Sequence, residues 1–263
     1  MTQTAIRFDD GAAYERMMGT WSRLVGDVFL DWLKPAPGLK WIDIGCGNGA
    51  FTEQIVDRCQ PSEVLGVDPS EGQLTFARQR PAARLAKFQQ GGAMDLPVAA
   101  RSFDAATMAL VIFFVPDPAK GVAEMVRVVK PGGLVAAYAW DMLGGGFPLE
   151  DLRTEMATLG ATAPMPPSPE ASRLEAMTKL WTDAGLERIE TRAITVERKF
   201  ANFDEYWAIS TSQGSSSNAG LLALGPEKTA LLKERVRARL PADSAGRITC
   251  SARSNAVKGY LPR

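Results

Sequence analysis

The chain has 263 residues, of which 46% are hydrophobic and 23% are charged, as is typical of a folded globular protein. Thirty Lys and Arg residues balance thirty Asp and Glu residues, so there is no positive excess to attract nucleic acid or an anionic membrane. The balance favours a small or weakly charged partner. No run of about 18 apolar residues and no secretion signal is evident, so we expect a cytoplasmic protein. Histidine is absent and the three cysteines have no paired spacing, so neither a metal site nor imidazole chemistry is predicted.

The first predicted element is a helix over residues 14–33, where apolar residues recur every three or four positions and Gly19 is expected to divide the helix. Short apolar runs then alternate with helical patterns. The predicted strands cover residues 41–44, 64–67, 87–89, 105–111 and 134–140, and the predicted helices between them cover 50–59, 71–80 and 119–129. This alternation is typical of a Rossmann-like α/β fold, with a mostly parallel sheet and helices on both faces.

The pattern changes after residue 141. Glycines and prolines predict an inserted loop over 143–169 that contains no helix. A helix over 170–184, a strand over 186–200 and a seventh strand over 247–257 follow. The segment 201–244, between the last two strands, contains an aromatic group, a polar run and an amphipathic helix at 227–240. The basic residues of that helix alternate with acidic ones, which indicates a solvated face.

The predicted organisation is a single domain over residues 1–263. Its parts are an N-terminal helical cover (1–38), a cofactor-binding core (39–141) and a C-terminal half (142–263) whose segments 143–169 and 201–244 form a lid. Long connections of this kind are usually functional.

The most informative stretch is the turn after the first predicted strand, where Gly45, Gly47 and Gly49 alternate before a helix. Such glycines let the backbone approach a ligand closely. Asp68 ends the second predicted strand about 20 residues later, where a carboxylate can accept hydrogen bonds from ribose hydroxyls. Nicotinamide-dependent dehydrogenases also satisfy this pattern. Asp43 favours another ligand, because a carboxylate beside the turn repels a pyrophosphate and attracts an ammonium group, although it could also simply brace the turn.

With these residues the chain resembles the class I S-adenosylmethionine-dependent methyltransferases, particularly the branch related to the ubiquinone and menaquinone methyltransferases. The motifs that carry the resemblance lie between residues 39 and 141, in the family's order. They are Asp43-x-Gly45-x-Gly47-x-Gly49, Gly66-Val67-Asp68-Pro69-Ser70, Ala93-Met94-Asp95-Leu96-Pro97, Ser102-Phe103-Asp104 and Val129-Lys130-Pro131-Gly132-Gly133.

The resemblance implies a site for S-adenosylmethionine and for its product, S-adenosylhomocysteine. The implied contacts are Asp43, Gly45, Cys46 and Gly47 for the methionine end, Asp68 for the ribose, Pro69, Ala93 and Met94 for the adenine, and Ala109 and Leu110 for the sulfonium. Met94 and Leu110 could equally belong to the core, and Pro69 to an ordinary turn. Many relatives have an Asp that binds the adenine amino group where this chain has Gly92. Adenine recognition is therefore expected to use backbone groups, water or Asp95.

No metal is expected, because a methyl sulfonium needs no Lewis acid for its leaving group to depart, and a magnesium site made only of carboxylates is the alternative left open. The resemblance also implies a reaction, in which a methyl group passes to an O, N, S or C nucleophile of a small molecule. It assigns no catalytic base, since Phe113-Phe114 stands where many relatives carry histidine. Two alternatives remain open, which are a catalytically silent cofactor-binding partner protein and a dehydrogenase that gives Asp43 no role. The side chains expected to cover the acceptor are Tyr14, Trp21, Phe113, Phe203, Tyr206 and Trp207, for which core packing is the alternative.

Overall fold

The protein's structure, a computed structural model, describes residues 15–162, 164–212 and 218–263. Its strands are β1 (Lys40–Ile44), β2 (Glu63–Asp68), β3 (Ala86–Gln90), β4 (Phe103–Ala109), β5 (Val129–Trp140), β6 (Glu187–Phe200) and β7 (Ile248–Tyr260). They form one seven-stranded sheet in the order β3-β2-β1-β4-β5-β7-β6. The pairs among β1 to β5 are parallel, and β7 runs antiparallel to β5 and β6. The predicted mostly parallel sheet is therefore confirmed.

The α-helices of the described residues are α1 (Thr20–Leu33), α2 (Ala50–Cys59), α3 (Glu71–Ala77), α4 (Pro118–Val128), α5 (Glu150–Thr158), α6 (Leu174–Asp183), α7 (Phe203–Ser210) and α8 (Asn218–Arg239). Helix α1 packs on α2 and β6, whereas α4 packs on α6, β4 and β5. Strands β1 and β2 are buried beyond their first residues, as expected for parallel strands covered on both faces. None of the helices in the described ranges has the length and hydropathy that crossing a bilayer requires.

A cluster of aromatic rings attaches α1 to the centre of the sheet. The ring centroid of Phe29 in α1 lies 4.6 Å from that of Tyr138 in β5, which lies 5.5 Å from that of Phe51 in α2. All three side chains are buried, and aromatic pairs at such distances stabilise packing beyond the area that they bury. This cluster attaches α1 to β5 and to α2.

The N-terminal prediction is confirmed in part. A π-helical turn over Glu15–Gly19 precedes α1, so Gly19 divides the stretch as expected. Tyr14, where the predicted helix begins, lies outside the described residues.

The prediction that residues 143–169 contain no helix is wrong, because α5 forms between Pro148 and the prolines that begin at Pro164. Its first turn contains Glu150 and Asp151, whose negative charges stabilise the positive end of the helix dipole. Helix α7 was also not predicted, since the pattern indicated only an aromatic group there. Its N-cap is Asn202, whose side chain accepts a hydrogen bond from the Glu205 amide at 2.9 Å.

Several predicted boundaries also move. The helix expected over 170–184 is a 3₁₀ turn at Pro169–Ser172 followed by α6, and β5 begins at Val129 instead of residue 134. The helix expected at 227–240 is the longer α8, which is interrupted at Gly225 (φ 74°) before Pro226. Each shift arises where a proline or a capping residue leaves the pattern ambiguous.

The interpretation of the α8 basic residues as a purely solvated face also needs correction. Nζ of Lys233 lies 2.9 Å from the Asp204 carboxylate of α7, and Nε of Arg239 lies 2.7 Å from the Glu155 carboxylate of α5. Exposed pairs of this kind contribute little individually. Together they connect α5, α7 and α8 into one group of helices.

Candidate cofactor site

The glycine turn lies between β1 and α2. Every second residue of the turn, three in all, has a left-handed backbone conformation. Gly45, Gly47 and Gly49 have φ angles of 71°, 52° and 80°, a region that residues with a Cβ rarely adopt. The amides of Gly45 and Cys46 both donate to the carbonyl oxygen of Val67, at 2.7 and 3.1 Å, so the turn is attached to the end of β2.

The space that each glycine leaves has a different neighbour: a protein side chain at Gly45 and Gly49, and no close atom at Gly47. A Cβ at Gly45 would lie 2.5 Å from the Val111 side chain, and a Cβ at Gly49 would lie 3.0 Å from that of Ala77. At Gly47, a Cβ would approach no described atom more closely than Oε1 of Gln73, at 4.0 Å. Gly45 and Gly49 therefore allow the chain to pack on itself, and Gly47 is the glycine that leaves open space for a ligand.

Asp43 lies within β1 and is completely buried. Its Oδ2 accepts a hydrogen bond from Oγ1 of Thr52 at 2.6 Å, but its Oδ1 has no hydrogen-bond partner among the described residues. Burial raises the pKa of Asp43 from 3.8 to about 7. The hydrogen bond from Thr52 lowers this pKa, and repulsion from Asp68 raises it further. A buried carboxylate oxygen without a donor is unfavourable, so this position fits an ammonium group, directly or through a water molecule.

Asp68 ends β2 directly beside the turn. Its Oδ2 accepts a hydrogen bond from the Gly47 amide at 2.9 Å, and its Oδ1 accepts one from the Ser70 amide at 2.9 Å. Burial raises its pKa despite these two backbone hydrogen bonds. Each oxygen retains further acceptor capacity, so the carboxylate fits the hydroxyls of a ribose placed over Gly47.

The loop after β3 carries the residues predicted to contact adenine. Residues 92 and 95 form an isolated bridge, and Ala93 and Met94 between them are half-buried. A Cβ at Gly92 would have no described atom within 4 Å, so the missing Asp side chain leaves open space. Pro69 is attached to the end of β3, because Nε2 of Gln90 donates to its carbonyl oxygen at 2.9 Å.

Two residues of α4 hold this loop, and the sequence did not indicate that role. Glu124 accepts a hydrogen bond from the Leu96 amide at 2.7 Å, while Arg127 donates to the carbonyl oxygens of Leu96 and Val98 at 3.0 and 2.9 Å. The hydrogen bond from Arg127 lowers the pKa of Glu124, which keeps this carboxylate ionised. The available signal was an acid and a base three residues apart on one helix.

The end of β4 faces the glycine turn. Leu110 is buried and has a φ of 62°, which is strained for a residue with a branched side chain, and its amide donates to the Tyr138 carbonyl oxygen at 2.8 Å. The following residue, Val111, fills the space above Gly45. Ala109 and Leu110 are therefore held beside Gly45. Such strain persists where the surroundings enforce it, and it is common at ligand sites.

The aromatic side chains that were predicted to cover the acceptor are mostly buried. Trp21, Phe113 and Tyr206 are at most 2% exposed, Phe203 is buried, and Trp207 is half-buried. Ring centroids of Phe200 and Tyr206 lie 5.3 Å apart, which attaches α7 to β6. Packing accounts for these side chains in the free protein. Tyr14, the remaining candidate, lies outside the described residues.

The Cys46 thiol in the glycine turn and the Tyr206 phenol in α7 are not activated. Burial raises the pKa of Cys46 well above its ordinary value, and burial also raises that of Tyr206. Both groups therefore stay protonated at neutral pH.

Residues 42–137 match the family model for a methyltransferase domain. Residues 42–137 are a methyltransferase domain. This domain contains the glycine turn, Asp68, the loop after β3 and the end of β4, and the seven-stranded sheet gives the chain the fold of the class I S-adenosylmethionine-dependent methyltransferases.

Curated relatives match about 40 to 55% of this chain. Demethylmenaquinone methyltransferase of Desulfitobacterium hafniense is 38% identical over 106 residues, which cover 38% of this chain and 42% of that protein. The ubiquinone/menaquinone biosynthesis C-methyltransferase of Cereibacter sphaeroides is 33% identical over 146 residues, which cover 54% of this chain and 58% of that protein. The chain thus spans about half the length of these relatives.

A solved structure extends the likeness beyond the methyltransferase domain. Phosphoethanolamine N-methyltransferase 2 of Haemonchus contortus, in complex with phosphomonomethylethanolamine and S-adenosylhomocysteine, aligns with a TM-score of 0.59. The alignment covers 96% of this chain and 57% of that chain, at 17% identity. At this identity the likeness establishes the fold.

Proposed function

We propose that this chain transfers the methyl group of S-adenosylmethionine to a nucleophilic O, N, S or C atom of a small molecule. The observation that carries the proposal is the order of groups along the carboxyl edge of the sheet. The adenine-side loop follows β3, Asp68 ends β2, the glycine turn follows β1, and Leu110 follows β4. The cofactor runs from adenine through ribose to the sulfonium, which carries the methionine end. The first two groups therefore match adenine and ribose, and the glycine turn and the end of β4, which meet at Gly45 and Val111, match the methionine end and the sulfonium beside it.

When bound, the cofactor supplies a methyl group on a sulfonium. The leaving group is the neutral thioether of S-adenosylhomocysteine, which needs no help from an acid or a metal. The chain's contribution is to hold it in place. Asp43 has a free carboxylate oxygen to balance the ammonium group, Asp68 can accept from the ribose, and Gly47 leaves the space between them. Alignment of donor and acceptor then supplies most of the acceleration.

The acceptor must lose its proton by a route that does not use histidine, since the chain has none. Tyr206 is a poor base, because it is buried and its pKa is raised by that burial. We therefore propose that the acceptor arrives already nucleophilic, or gives its proton to solvent. The pH dependence of the reaction then follows the acceptor's own ionisation.

We further propose that the N-terminal segment and the segments 143–169 and 201–244 cover the acceptor as a lid. The ion pairs of α8 with α5 and α7 support this, because they let the three helices move together. These segments lie outside the matched methyltransferase domain, so they set which acceptor is used. Hydroquinones are the first acceptors to test, because the curated relatives above are named for quinone methylation.

The experiment is a transfer assay with S-adenosylmethionine labelled in its methyl group, offered hydroquinones and metabolite extracts, with mass spectrometry of the products. We expect the label in one small molecule, with an equal amount of S-adenosylhomocysteine formed. Asp68→Ala should abolish the labelled product at low cofactor concentration and retain it at high concentration. A protein that binds the cofactor but labels no acceptor would contradict the proposal.

A further inference from the structure

A cluster of four polar side chains joins the segment before α1 to the glycine turn. Oε2 of Glu15 accepts hydrogen bonds from Nδ2 of Asn48 at 2.9 Å and from Nη2 of Arg80 at 2.6 Å. Nε of Arg80 donates to the carbonyl oxygen of Asn48 at 2.6 Å, and its Nη1 donates to Oε2 of Glu53 at 3.0 Å. We name Glu15, Asn48, Glu53 and Arg80 the clasp.

The clasp is built mostly from buried groups. The side chains of Arg80 and Glu53 are 10% and 11% exposed, and Asn48 is 3% exposed. Glu15 is the outermost member, with 34% of its side chain exposed. A buried arginine requires partners for its N–H groups, and here the partners are the backbone of the glycine turn, α2 and the N-terminal segment. Arg80 is therefore shared by three parts of the chain.

Gly19 provides an independent sign that the position of Glu15 matters. Its backbone is helical, with φ −55° and ψ −45°, so the conformation does not require glycine. A Cβ at Gly19 would, however, lie 2.7 Å from Cδ of Glu15 and 2.8 Å from its Oε1. Alanine would favour the helix by about 1 kcal/mol, but it would displace the Glu15 carboxylate from the clasp.

From this geometry we infer that Glu15 and Arg80 are positioning residues that couple the N-terminal segment to the glycine turn. Asn48 lies between Gly47 and Gly49, and it is held both by its side-chain amide and by its carbonyl oxygen. When Glu15 departs, the Asn48 amide and the Arg80 guanidinium each lose an acceptor, so the turn loosens. Coupling between two sites is reciprocal, so a ligand that fixes the turn also holds the N-terminal segment in place.

A second step rests on the proposed function. Because the turn at Gly47 faces the ligand, release of the cofactor requires the turn to loosen, and the clasp slows that release. Glu15→Gln preserves the shape and removes the charge, and Arg80→Lys preserves the charge and removes the fork that spans three partners. We expect either variant to release S-adenosylhomocysteine about tenfold faster than the wild type, the effect expected for losing one partly exposed charge-assisted hydrogen bond.

Hydrogen exchange with mass spectrometry on the ligand-free protein tests the first step. Glu15→Gln should increase exchange in residues 45–53, and Asn48→Ala should increase exchange in residues 15–25. Asp31→Asn is the matched control, because it removes an ion pair between α1 and Arg58 of α2 (2.7 Å) that has no contact with the turn. If Glu15→Gln increases exchange only in its own segment, or if Asp31→Asn acts equally on the turn, the coupling is absent.

Displacement of a fluorescent S-adenosylhomocysteine analogue, followed by stopped flow, tests the second step. Glu15→Gln, Arg80→Lys and Gly19→Ala should each accelerate release, Asp31→Asn should not, and the double variant Glu15→Gln/Arg80→Lys should be no faster than the faster single variant. Wild-type release rates in the single variants would overturn the role in cofactor exchange and leave the proposed function intact. A wild type that does not bind the analogue would contradict the proposed function, and hydrogen exchange would still decide the coupling.

Discussion

Asp43 offers a test in which the stability of the protein and its affinity for the cofactor should move in opposite directions. Burial raises the pKa of this carboxyl group from 3.8 to about 7. A carboxyl whose pKa is raised on folding stabilises the fold fully below its unfolded pKa, and this contribution is lost as the pH rises through the folded pKa. The difference between the two pKa values corresponds to about 4 kcal/mol, since one pKa unit is about 1.4 kcal/mol.

The perturbation is Asp43→Asn, which preserves the shape and can still accept the Thr52 hydrogen bond. We expect the free energy of unfolding of the variant, relative to that of the wild type, to increase by about 2.5 kcal/mol between pH 5 and pH 8, because only the wild type must bury a charge at the higher pH. The affinity for S-adenosylhomocysteine should fall by about 1.5 to 3 kcal/mol, because the ammonium group loses its charged partner.

Urea unfolding from pH 5 to pH 8 measures the first quantity, and calorimetric titration at pH 8 measures the second. Thr52→Val is the control, because it removes the hydrogen bond and retains the carboxyl group, so it should lower the stability at pH 8. The reasoning is refuted if Asp43→Asn is less stable than the wild type at pH 8 and binds the cofactor equally well. Asp43 would then only brace the turn.

Four further outcomes are expected. Asp68→Ala should weaken S-adenosylmethionine and S-adenosylhomocysteine alike, by about 1.5 to 3 kcal/mol in calorimetry, because both share the ribose; unchanged affinities would exclude the ribose contact. Gly92→Asp should tighten cofactor binding severalfold, because a side chain there meets no described atom and could accept from the adenine amino group; equal or weaker affinity would argue for recognition by backbone or water. Methyl transfer should be insensitive to EDTA, and its pH profile should move with the acceptor's pKa; activity lost with EDTA and restored by magnesium would contradict this. The segments 143–169 and 201–244 should exchange amide hydrogens more slowly when S-adenosylhomocysteine and an acceptor are bound, and equal exchange would exclude the lid.

The parts of the site that could be predicted are local in sequence. The glycine turn and Asp68 lie in short motifs at the ends of strands, so strand order brings them together once the parallel sheet is recognised. The roles of the individual glycines could not be predicted, because the space at Gly45 is filled by Val111, which is distant in sequence. The contact between Glu15 and Arg80, 65 residues apart, likewise depends on how α1 packs on the sheet.

The helices α5 and α7 were missed for a related reason. Each is short, and short helices are only marginally stable without tertiary contacts. Their apolar residues, including Leu152 and Tyr206, are buried against other elements that the local pattern does not reveal. The proline-rich stretch after α5 suggested a loop, and it does form one, but only after the helix has ended.

We expect the glycine turn and Asp68 to hold S-adenosylmethionine and not a dinucleotide. Calorimetric titration of the purified protein with S-adenosylhomocysteine and, separately, with NAD⁺ and NADP⁺ tests it most directly. One site per chain should bind S-adenosylhomocysteine, Asp43→Asn and Asp68→Ala should both weaken that binding, and neither dinucleotide should give a binding heat. Binding of a dinucleotide that depends on Asp68 but not on Asp43, with no binding of S-adenosylhomocysteine, would contradict it.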